Sequence, residues 1–574
     1  MTLSRLLAEF PNLPDVWGEG ALFAFSGIDG ETSAASGFVA TLARDAYGLL
    51  FHTPCRRYLD VTLGETGVPR IAVGDVYAVE TGQGDLVVTF SAWHTLIGVV
   101  PAGTRLQLRL EGGPDADRQA GVSVSVDAQG RDALVLIERE GRLALSYGQS
   151  VELAQQRAAE GLACDLCHEA RKRLAFYQDV PVLESPEDDR LLKKCASVMK
   201  VNTLAAEGTI RQEWSTPDRV PHRDMWLWDS VFHSLSMNGL RPRLAWRFLK
   251  SVLDTQSEDG MIAHQSRPSG WRSAVTQPPL LAWGVWENYQ VLCDKACLAY
   301  ALPRLEQYLE WDCAHRDRNQ NGLLEWFIEG NASCRSGESG MDNSPRFDRA
   351  VLLDAVDFST FAARDMAYTA SIAEALGEAD KARQWRWRSQ AMSEKVHGYL
   401  WDERDGFYCD RGMDGQYARV RAVSGFFPLL LDDVPPERVD RLVQVLMDPE
   451  WFNAPFPVPS VALCEPTWST DMWRGATWVN TNYLVILGLA RHGKVEEAAW
   501  LAEKTIAHVR KYYERFGVLF EFFDARDNVP PLACDRKGPR VEPYDIRRKM
   551  DAIRDYHWTA ALAARLLLDY AAAM

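Results

Sequence analysis

The sequence predicts a multidomain protein, an antiparallel β-sandwich at the N-terminus followed by an all-helical toroid, and three observations predict it. The 574 residues exceed what one hydrophobic core ordinarily serves. Apolar residues recur with period two as far as about residue 147, and with the helical period of three to four beyond it. After a helical connector comes DVPVLESPEDD, whose prolines and acidic residues mark a boundary. These divide the chain into a β domain over residues 1–150, a helical linker over 151–186 and a helical domain over 187–574.

In the first part, Leu106, Leu108 and Leu110 alternate with Arg105, Gln107 and Arg109, and Val122, Val124 and Val126 alternate with serines, the pattern of half-buried strands. GIDG, TGQGD and DAQGRD supply turns at short intervals, so the strands fold back on one another as a sandwich. The linker, VELAQQRAAEGLACDLCHEARKRLAFY, reads as helix.

About a dozen helical segments follow, among them 188–206, 242–256, 358–376, 379–400, 478–493, 495–515 and 555–573. Val495, Ala498, Ala502, Ile506 and Val509 fall three or four apart, as do Val439, Leu442, Val443 and Leu446, so each helix buries one face. Twelve such helices in sequential pairs can close a toroid. The connections 207–228, 257–279, 316–353, 448–477 and 516–554 are long, and long loops over a rigid scaffold are where binding and catalytic groups gather.

Composition removes several classes of function. A net charge of −16 with no basic stripe is unsuited to nucleic acid. No run reaches the roughly 18 apolar residues of a membrane helix, and the start MTLSRLLAEFPNLPDVW has no export signal. Eleven cysteines, odd in number and without framework spacing, fit reduced thiols, so a cytoplasmic protein is expected. CDLCH (164–168) matches a haem-attachment pattern, but inside a helical connector it is a chance match. HExxH, GxGxxG before a helix and a GxSxG elbow are absent from suitable places. The 20 tryptophans are core material and also flat faces on which pyranose rings stack.

Three constellations carry chemistry. Asp342 lies in GESGMDNSPRFD, where Gly, Ser and Pro hold an irregular loop that can present a carboxyl group; a cap or a loop acceptor would suit it too. Glu521, in FGVLFEFFDARDN, is flanked by Phe520, Phe522 and Phe523, where desolvation tends to raise a carboxyl pKa, although buried glutamates also serve ion pairs. WLWDS offers Trp228 as a stacking face and Asp229 as an acceptor, or else a helix N-cap. Separately, DRNQNGLLEW places Asp317, Asn319, Asn321 and Glu325 at alternate positions, with the Leu323 carbonyl nearby. These are hard oxygen donors of the kind calcium takes, in a string that also makes a plain Asx-rich turn.

RDMWLWDSVFHS, TQPPLLAWGVWENY, ESGMDNSPRF, MWRGATWVNTNYL and FEFFDA stand in the order seen in glycoside hydrolase family 63, which this sequence resembles over roughly residues 200–565. The resemblance implies an (α/α)6 barrel and inverting hydrolysis of a glycosidic bond, Asp342 acting as general acid and Glu521 as general base. It places Trp228, Asp229, Gln277, Trp283, Arg346, Trp473 and Arg474 around the cleaved sugar, and a structural calcium on the 317–325 segment, with no cofactor needed for the chemistry. The expected substrate is a small saccharide, an α-glucoside or short α-linked oligosaccharide. The alternative is mannosylglycerate or glucosylglycerate, the N-terminal β domain favouring the oligosaccharide. A sugar epimerase would use histidine bases, and an inactive binding protein would have lost one of the two carboxylates.

Overall fold

The computed structural model describes residues 2–11, 13, 16–43, 47–130, 132–331, 333–538 and 551–570. An N-terminal helix, α1 (Thr2–Glu9), precedes two antiparallel sheets. One sheet has five strands, from residues 22–62 and 105–110; the other has eight, from residues 68–99 and 117–148. Phe23, Phe38, Phe51, Phe90 and Leu136 fill the space between the sheets. The far face of the larger sheet is covered as well. Helices α2 (Val151–Ala163) and α3 (Leu166–Leu174) pack on it, with Ala154 and Ala158 against the apolar side chains of its strands. Residues 151–174 are therefore a packed layer of the sheet domain as well as a connector.

One strand faces the other way from the period-two expectation. Ser123 and Ser125 are the buried residues, while Val126 is 41% exposed, and Val122 and Val124 pack half-buried toward the helices. The cause is Arg57, a fully buried cation whose Nε donates to Ser125 Oγ (3.1 Å) and whose Nη2 donates to Asp132 Oδ1 (2.7 Å). A buried guanidinium needs acceptors, so the hydroxyl turns inward and the valines turn out.

Pro186 in the first turn and Ser185, whose Oγ accepts from Asp188 N, start the helical domain with α4 (Pro186–Val201). There follow α5 (Leu227–Leu240), α6 (Pro242–Leu253), α7 (Leu281–Leu292), α8 (Lys295–Arg316), α9 (Val356–Leu376), α10 (Ala379–Tyr399), a 3-10 helix (Val423–Leu430), α11 (Pro436–Leu446), α12 (Val479–Arg491), α13 (Val495–Phe516) and α14 (His557–Tyr570). Neighbours form a closed circuit: α5 touches α7, α7 touches α9, α9 the 3-10 helix, that helix α12, α12 touches α14, and α14 returns to α5. Helices α4, α6, α8, α10 and α13 lie against α14, α5, α7, α9 and α12 respectively. The inner members are buried nearly all round; the outer ones bury a stripe, such as Ala498, Ala502, Ile506 and Val509 of α13. Val495, in that helix's first turn, is 64% exposed and falls outside the stripe.

The two halves interlock through buried polar groups. Asp555, just before α14, accepts from Leu22 N of the first strand (2.8 Å), from Leu519 N (3.1 Å) and from Lys194 Nζ of α4 (2.8 Å). Lys200 of α4, fully buried, pairs with Asp29 at 3.0 Å and with Asp75.

Candidate active site

The starts of three inner helices and the long loops beside them enclose a cavity of about 510 Å³. Its floor is tryptophan. Trp473 and Trp478 stack in parallel at 3.8 Å, and Trp558 meets the edges of both Trp228 and Trp478 at 5.6 Å. Trp228 donates its backbone N–H to Gln277 Oε1 (3.0 Å), which fixes the amide that also lines the cavity. The indole of Trp228 lies on Gly340, where a Cβ would meet ring carbon at 2.4 Å and where φ is +71°, so only glycine serves. Two residues on, Asp342 enters the cavity.

Extended chain holds Glu521: its own N–H donates to the Ile553 carbonyl (2.9 Å), and neighbouring Phe523 pairs with Thr477. Its carboxylate is buried and takes both arms of Arg536, Nε to Oε2 at 2.8 Å and Nη2 to Oε1 at 2.9 Å. Lys537, the next residue, puts Nζ 2.6 Å from Asp342 Oδ2. Asp471 cradles the turn that carries these two cations, its carboxylate accepting from the N–H groups of Lys537 (2.7 Å) and Gly538 (2.9 Å).

The carboxyl groups of the cavity are driven apart. Burial alone would raise Asp342; Lys537, with Arg536 and His264, outweighs it and holds the group below the ordinary carboxylate value. Asp229 has no such cation. Burial first, and then the charges of Glu521, Asp218 and Asp342, push it well above the ordinary value, although its backbone hydrogen bond works the other way. Its Oδ1 is buried without a donor and faces a sugar-sized space. His264, half-buried near Asp342, is lowered to about 4 by desolvation and is a neutral imidazole near neutrality.

Of the residues singled out in the sequence, Asp342, Glu521, Trp228, Asp229, Gln277 and Trp473 line this one cavity, and Trp283, Arg346 and Arg474 do not. Trp283 is in the core of α7, its N–H donating to Asp365 Oδ1 (3.0 Å) and its ring lying under Arg364. Arg346 is buried between Asp357 and Asp410, bridging the 341–348 loop to the start of α9 with four hydrogen bonds of 2.6 to 2.8 Å. Arg474 clamps Asp348 (2.8 and 2.7 Å) and the Asn343 carbonyl (3.1 Å), fastening the Asp342 loop to the Asp471 turn. Arg536, Lys537, His264, Tyr556, Trp478 and Trp558 line the cavity without having been singled out. Trp478 stood in a quoted motif, but no spacing or periodicity marks the Arg536–Lys537 pair.

The 317–325 loop curls on itself. Gly322 N donates to Asp317 Oδ2 (2.9 Å), Leu323 N to Asn321 Oδ1 (2.9 Å) and Arg318 N to Glu325 Oε2 (2.9 Å). Asp354, from the strand preceding α9, joins it by accepting from the amides of Asn319 and Asn321. Asp317 Oδ1 is buried without a donor, and burial raises both Glu325 and Asp354, with the charges of Asp354 and Asp317 adding to the first and those of Asp317 and Asp410 to the second. Lys395 Nζ donates to the Asn321 carbonyl (2.5 Å), and the remaining oxygen donors are of the kind that suits a hard cation. The eleven cysteines are unpaired, and among the described residues no helix is long and apolar enough to cross a membrane.

Residues 221–559 match the sequence profile of the mannosylglycerate hydrolase MGH1-like glycoside hydrolase domain. Mannosylglycerate hydrolase MGH1 of Selaginella moellendorffii is 24% identical over 413 residues, 57% of this chain and 82% of that one. An uncharacterized protein of Borreliella burgdorferi is 27% identical over 237 residues, and there the chain spans 46% of the relative's length. Among solved structures, the family 63 mannosylglycerate hydrolase of Thermus thermophilus, in complex with glucose, superposes with a TM-score of 0.53 at 24% identity, over 65% of this chain and 99% of that one. The N-terminal sandwich lies outside the profile match.

Proposed function

The chain belongs to the MGH1-like glycoside hydrolases of family 63 and is a glycosidase, and from that premise we propose that it cleaves a short glycoside bearing an anionic aglycone, a glycosylglycerate, by single displacement with inversion. One observation carries this reading: two carboxylates share a cavity whose wall supplies a separate cation to each, Lys537 to Asp342 and Arg536 to Glu521.

The roles follow from the surroundings. Glu521, gripped by Arg536, draws the proton from an attacking water. Asp342 delivers a proton to the departing oxygen. A general acid must carry that proton beforehand, whereas Lys537 favours the ionised form. An aglycone carboxylate resolves this conflict, because it draws the ammonium to itself and leaves Asp342 free to protonate. The hexose stacks on the tryptophan floor, with Asp229 and Gln277 taking its hydroxyls.

A neutral α-linked glucoside is the second reading. Trp271, 45% exposed at the cavity mouth, favours it by offering a further stacking face. The closed circuit of inner members, each but one backed by an outer helix, supports an (α/α)6 barrel as the scaffold. Asp317, Asn319, Asn321, the Leu323 carbonyl and Glu325, joined by Asp354, would hold a structural calcium remote from the chemistry.

Proton NMR of the anomeric signal during the first minutes with mannosylglycerate, glucosylglycerate and α-linked glucose disaccharides tests the reading. A β-hexose released from a glycerate compound is the expected result. Release from the disaccharides alone would replace the lead reading with the second, and an α-anomer would overturn inversion.

A further inference from the structure

A second cavity, of about 440 Å³, opens at the other end of the helical circuit. Trp228 and Trp558, at the starts of α5 and α14, line the catalytic cavity. Arg491, the last residue of α12, Leu430, the last of the 3-10 helix, and Ser371, in the second half of α9, line this one.

Its distinguishing residue is Arg364 of α9, only 4% exposed. The Arg364 Nε and Nη1 are buried without an acceptor, and the side chain has neither an ion pair nor a hydrogen bond among the described residues. Its guanidinium lies flat over the Trp283 ring at 4.2 Å and near that of Tyr368 at 5.3 Å, contacts that leave the N–H groups unused. The adjacent carboxylate, Asp365, is turned away to the backbone amides of Ala282 and Trp283. The other charges on the walls have partners: Arg491 pairs with Asp432, Arg386 with Glu374 at 2.7 Å, and Asp433 accepts from Ser393. Arg364 is thus a buried cation that no carboxylate hydrogen-bonds, the charge of Asp365 reaching it only through space, and it lines a cavity large enough to hold an anion that would take those N–H groups.

We propose that this cavity binds a small oxyanion, a phosphate or carboxylate headgroup held by the Arg364 guanidinium. The hydroxyl of Tyr368 stands on the same wall, whereas those of Ser371 and Ser389 already donate to the Ala367 and Ala363 carbonyls. Tyr368 Oη accepts from Arg491 Nη2 (3.5 Å), which leaves its proton free to donate.

Thermal unfolding of the full-length protein in sodium phosphate and in sodium D-glycerate, each against sodium chloride of equal ionic strength, tests the site. A saturable rise in Tm with one or both anions is expected, and which of them acts names the headgroup. The rise should persist in Lys537→Met, which removes the cation that could hold glycerate in the catalytic cavity, and be lost when Arg364→Met is added to that variant. Ser371→Asp, which brings a carboxylate into the cavity, should raise Tm in chloride and blunt the response. No saturable response in the natural protein, or an undiminished one in the double variant or in Ser371→Asp, would overturn the proposal.

Discussion

Lys537 holds its ammonium 2.6 Å from the carboxylate of Asp342, an ion pair inside the cavity where that carboxyl group is proposed to work as an acid. The pairing lowers Asp342 below its ordinary value of 3.8, so its contribution to stability is present above that value and is lost as pH falls through the depressed one. In Lys537→Met the carboxyl rises. The alkaline limb of kcat/KM, which reports loss of the acid's proton, should move to higher pH. Activity on a neutral glucoside should fall less than activity on a glycosylglycerate. A pH profile unchanged from the natural protein would show that Lys537 does not govern the acid.

Asp342→Asn and Glu521→Gln each delete one proton transfer while keeping shape. Each should lower kcat by roughly 10²–10⁴-fold with little change in Tm, measured by steady-state kinetics beside thermal unfolding. Near-natural turnover in either would remove that residue from its role.

Arg346 is the reverse case, a buried cation joining Asp357 and Asp410 that does not itself line the cavity. Arg346→Met strands two buried carboxylates and should cost about 3–5 kcal/mol in urea unfolding, while KM in the folded fraction stays close to natural. A raised KM at unchanged stability would instead make Arg346 a sugar ligand.

Gly340→Ala combines a strained φ, worth roughly 1–2 kcal/mol for a residue with a Cβ, with a direct collision on the Trp228 indole. Because Trp228 is floor and Gly340 leads into the Asp342 loop, kcat/KM should fall well before the protein unfolds. Activity and Tm measured together separate the two effects.

Chelation tests the 317–325 loop. Removing calcium with EGTA should lower Tm without shifting the pH profile, and millimolar calcium should restore it. Asp354→Asn should weaken the restoration, because it takes away one carboxylate of the set. A Tm indifferent to both treatments would leave a plain Asx-rich turn.

Much of the site could be read in the sequence because its parts sit in loops whose composition forbids regular structure. GESGMD and FEFFDA announce themselves by glycine and by aromatic flanks, and Asp342 and Glu521 line one cavity. Which motif residues face the cavity could not be read, since a tryptophan turned to the core and one turned to a ligand look alike in one dimension; Trp283 and Trp228 differ only in the side of a helix start they occupy. Arg536 and Lys537 escaped because charged residues in a long loop carry no period. The inner 3-10 helix, Val423–Leu430, was hidden by Gly425 and Pro428, which break the spacing that reveals an amphipathic helix. Arg57 inverted the valine strand through a contact 68 residues away in sequence, out of reach of any local pattern.

Asp555 has a bearing on how such enzymes can be rebuilt. Its carboxylate is shared between the first strand of the sandwich and the segment leading to Glu521, and its neighbour Tyr556 is part of the catalytic wall. Exchanging the front module for a foreign carbohydrate-binding unit would therefore be no neutral graft: the donor amide of Leu22 would have to be reproduced, or the loss would be transmitted one residue along the chain to the cavity wall.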